Sequence, residues 1–253
     1  MRLLVFGDVH GNAPALDAVL ADAGQRGYDA AVCLGDLVGY GPYPADVVDR
    51  VREFAPFVAL RGNHDQLLLD LAAGASAAEA HEEEAVAAVV ERHLLELDAS
   101  QRTFLATLAD GATHGDWSAA HGGFRRPFDY LATVNDAQQQ LPFVSTAINL
   151  VGHTHVPRAH VSVEFDGERL WRVVDFAASG RAYRVPPLAR AFLNPGSVGQ
   201  PRDGNPAASY AMFDEDERTF AVRRVAYDVD AVARRARALG YPAGFAERLR
   251  SGR

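Results

Sequence analysis

The stretch Leu3-Leu4-Val5-Phe6-Gly7-Asp8-Val9-His10-Gly11-Asn12 decides the fold. Its four consecutive apolar residues are too short a run for a signal-peptide core, and they predict a buried strand. A membrane span needs ~18 consecutive apolar residues, and no segment of the chain reaches that length. The expectation is a cytoplasmic protein with no membrane partner. After Phe6 the chain turns polar at once, and Asp8 and His10 sit two residues apart on one turn.

The same design follows twice more. Ala30–Leu34 is a second apolar strand ending in Gly35-Asp36, and Phe57–Leu60 is a third ending in Arg61-Gly62-Asn63-His64-Asp65. Between them lie helical patterns, one carrying Leu16, Val19 and Leu20 on one side, the other (Ala45–Phe54) carrying Val47, Val48 and Val51. The loop Gly39-Tyr40-Gly41-Pro42-Tyr43-Pro44 separates the second strand from its helix. Two strand–helix–strand units in succession predict a parallel sheet with right-handed crossovers, covered on both faces. Each polar cluster falls at the carboxyl end of a strand, the edge where open α/β sheets bind ligands.

Residues 66–110 are rich in Ala, Leu and Glu and read as a helical insert with a break at Gly74. Ser76 and Glu79 fit a capping box, and His81-Glu82-Glu83-Glu84 reads as a solvated helix face, since neighbouring acids on a helix point in different directions. The second half changes character. Trp117–Ala120 and Ala147–Val151 are strands delivering His121-Gly122-Gly123 and Gly152-His153-Thr154-His155. His160–Phe165 and Glu168–Val174 flank Asp166-Gly167 as a hairpin. Ala191–Leu193, Ser209–Phe213 and Thr219–Val225 are further strands, and Asp228–Leu239 is a closing helix. Strand–helix alternation followed by hairpins predicts two sheets packed face to face with helices outside. With no linker or repeat, residues 1–253 read as one domain.

Composition removes several chemistries. All 25 basic residues are arginine, so Schiff-base catalysis, a lysine-bearing phosphate loop and a Ser–Lys dyad are excluded. The one cysteine, Cys33, lies in an apolar run, and a single cysteine excludes an intrachain disulfide and paired-thiolate metal sites. A net charge of −8 argues against a duplex nucleic-acid partner. The C-terminal arginines 234, 235, 237, 248, 250 and 253 read as a solvated helix face.

What remains at the strand ends is Asp8, His10, Asp36, Asn63, His64, His121, His153 and His155, including five of the nine histidines. Taken singly, a strand-end His is more often a hydrogen-bonded loop residue, and Gly62-Asn63 is a common turn signal. Their joint occurrence points to a metal centre. Carboxylate, imidazole and amide donors without thiolate suit divalent transition ions, with Mn favoured and Fe, Zn, Co or Ni as alternatives. Seven candidate ligands exceed what one ion needs, so two ions are expected, with Asp36 on the central strand as the natural bridge.

The series Asp8-x-His10-Gly11, Gly35-Asp36, Gly62-Asn63-His64-Asp65, His121-Gly122 and Gly152-His153-Thr154-His155 resembles the calcineurin-like metallophosphoesterase superfamily, all five blocks standing in the family's order. The later stretch Asn194-Pro195-Gly196-Ser197-Val198-Gly199-Gln200-Pro201-Arg202-Asp203 is similar to the compact bacterial and archaeal branch. The resemblance implies a four-layer αββα sandwich of two mixed sheets. It also implies one ion held by Asp8, His10, Asp36 and His155, and a second by Asp36, Asn63, His121 and His153. His64 would face the substrate and protonate the leaving oxygen, while water activated between the ions attacks phosphorus in line. The chain departs from the eukaryotic-type phosphatases of the superfamily, reading Leu37-Val38-Gly39-Tyr40-Gly41 where those carry Asp-Arg-Gly.

The leading expectation is a phosphatase acting on monoesters of a small molecule, nucleotide or phosphoprotein. Its rivals are a phosphodiesterase or dinucleoside-polyphosphate hydrolase using the same site, and a non-catalytic scaffold of the same fold. Arg202 is a candidate phosphate contact, and Tyr40 and Phe124 could stack on a base or pack the loop. Arg125 and Arg126 read as surface residues.

Overall fold

An unbroken apolar strand has to be covered on both faces, and the N-terminal one is. In the computed structural model, which describes residues 1–76, 83–176 and 182–253, β1 (Arg2–Phe6) sends Leu3 and Val5 into one apolar interior and Leu4 and Phe6 into another. The helix α1 (Ala13–Arg26) joins it to β2 (Ala30–Cys33), and α2 (Pro44–Phe54) joins β2 to β3 (Val58–Ala59). The three strands pair in parallel, in the order β3-β2-β1. Asp36 therefore leaves the middle strand of this parallel trio, although β2 stands second from the edge of the whole sheet.

Three helices follow: α3 (Asn63–Ala72), α4 (Glu84–Glu96) and α5 (Ala99–Thr107). The helical stretch thus begins at Asn63, inside the polar cluster, where the sequence predicts a turn and a start at residue 66. The reason is Asp65: its carboxylate accepts from the backbone N–H of Gly62 at 2.9 Å and caps the helix start. Gly74 follows the end of α3 at φ +96°, as the expected break requires. Of the expected capping box and acidic run, Glu79, His81 and Glu82 lie outside the described residues, and Glu83 and Glu84 are exposed at the start of α4.

The rest of the chain supplies β4 (Gly111–His114), β5 (Trp117–Ala120), α6 (Val134–Gln140), β6 (Ile148–Val151), the hairpin β7 (Arg158–Phe165) and β8 (Glu168–Asp175), and β9 (Ala182–Arg184). Then come β10 (Arg190–Asn194), β11 (Ala208–Asp214), β12 (Thr219–Val225), α7 (Val229–Ala238) and α8 (Ala243–Ser251). Among the described residues they form two six-stranded mixed sheets, β3-β2-β1-β11-β12-β9 and β4-β5-β6-β10-β7-β8.

Leu3 and Val5 meet Trp117, Leu150, Leu193 and Phe213 in one cluster, which is the layer between the sheets. Leu4 and Phe6 pack instead with Leu16, Val19, Val48 and Leu68 beneath the helices of the first sheet. Phe192 and Val151 of the second sheet are covered by Leu131, Ala137 and Val144, so α6 and its flanks make the fourth layer. Each fully buried Leu or Phe contributes roughly 1.5–3 kcal/mol relative to exposure. No helix among the described residues is long and apolar enough to cross a membrane.

Candidate metal centre

The carboxyl ends of β1, β2 and β3 in one sheet meet those of β5 and β6 in the other, because each set runs parallel within its own sheet. Asp8, His10, Asp36 and His155 thereby bring one donor atom each within 4.8 Å of one another, and Asp36, His121 and His153 do the same. Asp36 belongs to both groups. Its Oδ2 lies 3.4 Å from Nε2 of His10 and 3.4 Å from Nε2 of His121. On the far sides, His155 Nε2 stands 3.4 Å from Asp8 Oδ1, and Asn63 Oδ1 stands 3.2 Å from His121 Nε2.

The backbone is bent to achieve this. Among the described residues nine non-glycine positions have positive φ, and six of them are Asp8, His10, Asp36, Tyr40, His153 and His155. Each costs of order 1 kcal/mol or more, which together rivals a domain's net stability of ~5–15 kcal/mol. Such a concentration persists only where hydrogen bonds hold it. The loop after β1 is tied to the loop after β2 by Val9 N–H and His10 N–H donating to the Asp36 carbonyl at 2.8 and 2.9 Å. Asp65 accepts from Asp36 N–H at 2.8 Å and Leu37 N–H at 2.9 Å, clamping the loop that carries Asp36. Gly62 must be glycine, since a Cβ there would lie 2.0 Å from Asp36 Oδ1.

The imidazoles are aimed by their second nitrogen. Nδ1 of His10 donates to the Val38 carbonyl at 3.0 Å, Nδ1 of His121 to the Leu34 carbonyl at 2.7 Å, and Nδ1 of His155 to the Gln200 carbonyl at 2.6 Å. A carbonyl only accepts, so Nδ1 carries the proton in all three rings and Nε2 is the atom turned inward. The Asn194–Arg202 segment is the scaffold behind them. Asn194 Nδ2 donates to the Gly152 carbonyl at 2.6 Å, and Ser197 Oγ donates to the Asp8 carbonyl at 2.8 Å.

Electrostatics divide the donors. Burial acts to raise Asp36, but the imidazoles of His121, His64 and His10 outweigh it and hold its carboxyl well below the usual range. Burial and the Asp36 charge push Asp8 up to about 7. Burial keeps His10 and His155 neutral, well below the ordinary histidine value, and lowers His153 to about 3. His121 goes the other way: against burial, the Asp36 and Asp8 carboxylates raise it to about 9. The donors fit divalent ions. Asp36 Oδ2 is buried with no hydrogen-bond partner among the described residues, and two Nε2 atoms converge on it.

The remaining expected residues separate. His64 is buried at the start of α3, its ring 4.8 Å from those of His10 and Tyr40, and its backbone N–H donates to Asp36 Oδ1 at 2.9 Å. Arg202 reaches the same side, donating to Gln200 Oε1 at 2.9 Å with its guanidinium 5.8 Å from the Tyr40 ring centroid. Phe124 lies elsewhere, its ring packed on Phe192, 6.2 Å away, in the outer layer of the second sheet. That phenylalanine follows the His121 loop in sequence, but the backbone tied down by Gln140 turns it away.

The sequence did not single out Tyr130, whose ring stacks on His153 at 3.9 Å, nor His93 of α4. His93 accepts from Gly39 N–H at 3.1 Å and shares a 3.0 Å hydrogen bond with the Tyr241 hydroxyl. Neither stands in a motif. Asp65 did, and its adjacency to Asn63 and His64 was the available signal.

Two facing sheets with carboxylate and imidazole donors converging between their strand ends make a candidate centre for metal-dependent chemistry. The chain belongs to the calcineurin-like phosphoesterase superfamily, whose domain model matches residues 1–218. The crystal structure of a metallophosphoesterase from Sphaerobacter thermophilus is similar over 100% of both chains, at 34% identity and a TM-score of 0.85. The protein MJ0912 of Methanocaldococcus jannaschii is 30% identical over 99% of this chain and 98% of its own length. Phosphodiesterase YfcE of Escherichia coli is 30% identical over 85% of this chain and 89% of its own.

Proposed function

We propose that the protein is a phosphatase acting on phosphomonoesters, with Asp8, His10, Asp36 and His155 holding one divalent ion and Asp36, Asn63, His121 and His153 a second. The observation that carries this is the shared Asp36 Oδ2, which lies 3.4 Å from Nε2 of two buried imidazoles. When bound, such a pair of ions activates a water and neutralises charge on the phosphoryl group. A mixed imidazole and carboxylate donor set without thiolate suits Mn, Fe, Zn, Co or Ni, and manganese is the ion proposed.

The chain's own residues do the rest. His64 delivers the proton to the leaving oxygen, and the hydrogen bond from its backbone N–H to Asp36 anchors the residue beside the reacting centre. Arg202, held by Gln200 and Tyr40, offers a guanidinium to a non-bridging phosphate oxygen. Arg202 stands on the His10–His155 side, and one cleft opens on the other, beside Asn63 and His153. A cation on one side and a cleft on the other suit a phosphate bearing a single organic group. The deciding experiment strips the metal and adds back Mn, Fe, Co, Ni, Zn or Mg singly. Each form is assayed on para-nitrophenyl phosphate, its bis ester and a dinucleoside polyphosphate. The monoester is expected to turn over fastest.

The second reading is a phosphodiesterase, favoured by the 30% identity with a protein of that name. Faster turnover of the bis ester would select it. No turnover with any ion would select a non-catalytic scaffold.

A further inference from the structure

The cleft beside Asn63 and His153 encloses about 360 Å3 and is walled by Gln66, Leu67 and Asp70 of α3 facing Phe128 and Tyr130. That lies in the range of small-molecule sites, ~300–1,000 Å3, and its walls differ in chemistry. On α3, Gln66 Nε2 donates to Asp70 Oδ1 at 2.7 Å. This engages an amide proton and leaves carbonyl and carboxylate lone pairs as the larger part of what the wall offers. Opposite, the Tyr130 ring is stacked on His153 yet 52% exposed. Phe128 stands edge-on to His121 at 6.1 Å. A flat ring can lie against such aromatic faces. The acceptor wall selects groups that donate hydrogen bonds, and the Asp70 carboxylate opposes a second phosphate on this side.

Building on the phosphomonoesterase reading, we propose that this cleft holds the organic group of the ester. That group is a ring system carrying hydroxyl or amino donors, as in a nucleoside monophosphate, with no further phosphate. Gln66 and Asp70 take its donors and Tyr130 takes its flat face, while Arg202 on the far side takes the phosphate.

The test compares kcat/KM for a nucleoside 5′-monophosphate with that for para-nitrophenyl phosphate, which has a ring and no donors. Asp70→Ala is expected to lower the nucleotide-to-nitrophenyl ratio about tenfold, the worth of a lost charged hydrogen bond. Asp70→Asn is expected to raise turnover of the nucleoside diphosphate relative to the monophosphate. Saturation-transfer NMR of the free nucleoside is expected to show contact with wild-type protein and to lose it in Tyr130→Ala, with thermal melts checking that each variant folds. A ratio within twofold of wild type in Asp70→Ala overturns the cleft assignment, as does a wild-type preference for the diphosphate. An enzyme that turns over neither ester with any ion overturns the phosphatase reading itself, and the nucleoside NMR signal separates the two failures.

Discussion

The two halves of the metal centre share Asp36 but hold their protons differently. On one side His10 and His155 are kept neutral by burial, and Nε2 of each is ready to accept an ion. On the other, His121 is raised to about 9 by Asp36 and Asp8, so in the metal-free chain it holds a proton that the proposed ion would have to displace. The difference arises from neighbours, since all these groups are buried. His155 is opposed by the Arg202 guanidinium and by His10, whereas His121 lies between two carboxylates. Two chemically similar ligand sets therefore differ in how an ion enters.

Removing what they share has the largest effect. Asp36→Asn is expected to empty both positions, so that elemental analysis finds fewer than one ion per chain. Activity is expected to fall by more than the ~10²–10⁴-fold typical of an acid–base group. Two ions per chain in that variant would rule out the bridge. His64→Ala tests the opposite case, a residue beside the centre that is proposed to hold neither ion. It is expected to keep both ions and lose ~10²–10⁴-fold in turnover, with a smaller loss on esters of good leaving groups. Equal loss on good and poor leaving groups would remove the proton-donor role.

The protons themselves sharpen the comparison. An ion can bind His121 only after its proton leaves, so binding at the second position is expected to strengthen ~tenfold per pH unit up to about 9 and then level off. The first position has Asp8 to deprotonate, which is half complete near pH 7 and nearly complete by about pH 8. Between pH 8 and 9 calorimetric titration with Mn should thus resolve one pH-dependent step and one nearly flat step. Near pH 8 one proton should be released with the second ion alone. Parallel slopes would contradict the division.

How much of this was readable from the chain depended on how local the signal was. The candidate ligands were legible because each follows an apolar run at a strand end, and Thr219–Val225 was bounded correctly because its apolar Phe220-Ala221-Val222 core follows a charged turn. The start of α3 was not, because Gly62-Asn63 carries a turn signal that Asp65 overrides by capping the helix at Gly62 while also binding Asp36, far away in sequence. α6 (VNDAQQQ) has almost no apolar pattern, and β4 is an exposed edge strand with little to distinguish it from loop. In α8, Phe245 and Leu249 do recur at helical spacing, but the arginines around them mask that pattern with charge. Tyr130 lies in irregular chain, where no periodicity exists to mark it.

His93 shows the same non-locality and supports the smallest expected effect, on the His10 side of the centre. It is fully buried, and burial lowers it to about 3, so it stays neutral at any working pH. Its Nδ1 accepts from Gly39, which leaves Nε2–H to donate to the Tyr241 hydroxyl. Gly39 at φ +91° lies directly beneath His64, where a Cβ would come within 2.7 Å of His64 Nδ1. His93 is thus a positioning residue acting on His64 through one backbone N–H. His93→Leu strands that N–H, at a cost of ~1–3 kcal/mol, and is expected to lower both Tm and kcat, the latter ~tenfold with KM little changed. His93→Gln keeps an acceptor for Gly39 and a donor for Tyr241, and should restore most of kcat. A residue that only stabilised the fold would shift Tm in both variants and leave the leaving-group dependence alone. If His93 works through His64, the kcat loss in His93→Leu is larger for poor leaving groups than for para-nitrophenol, in the same direction as in His64→Ala.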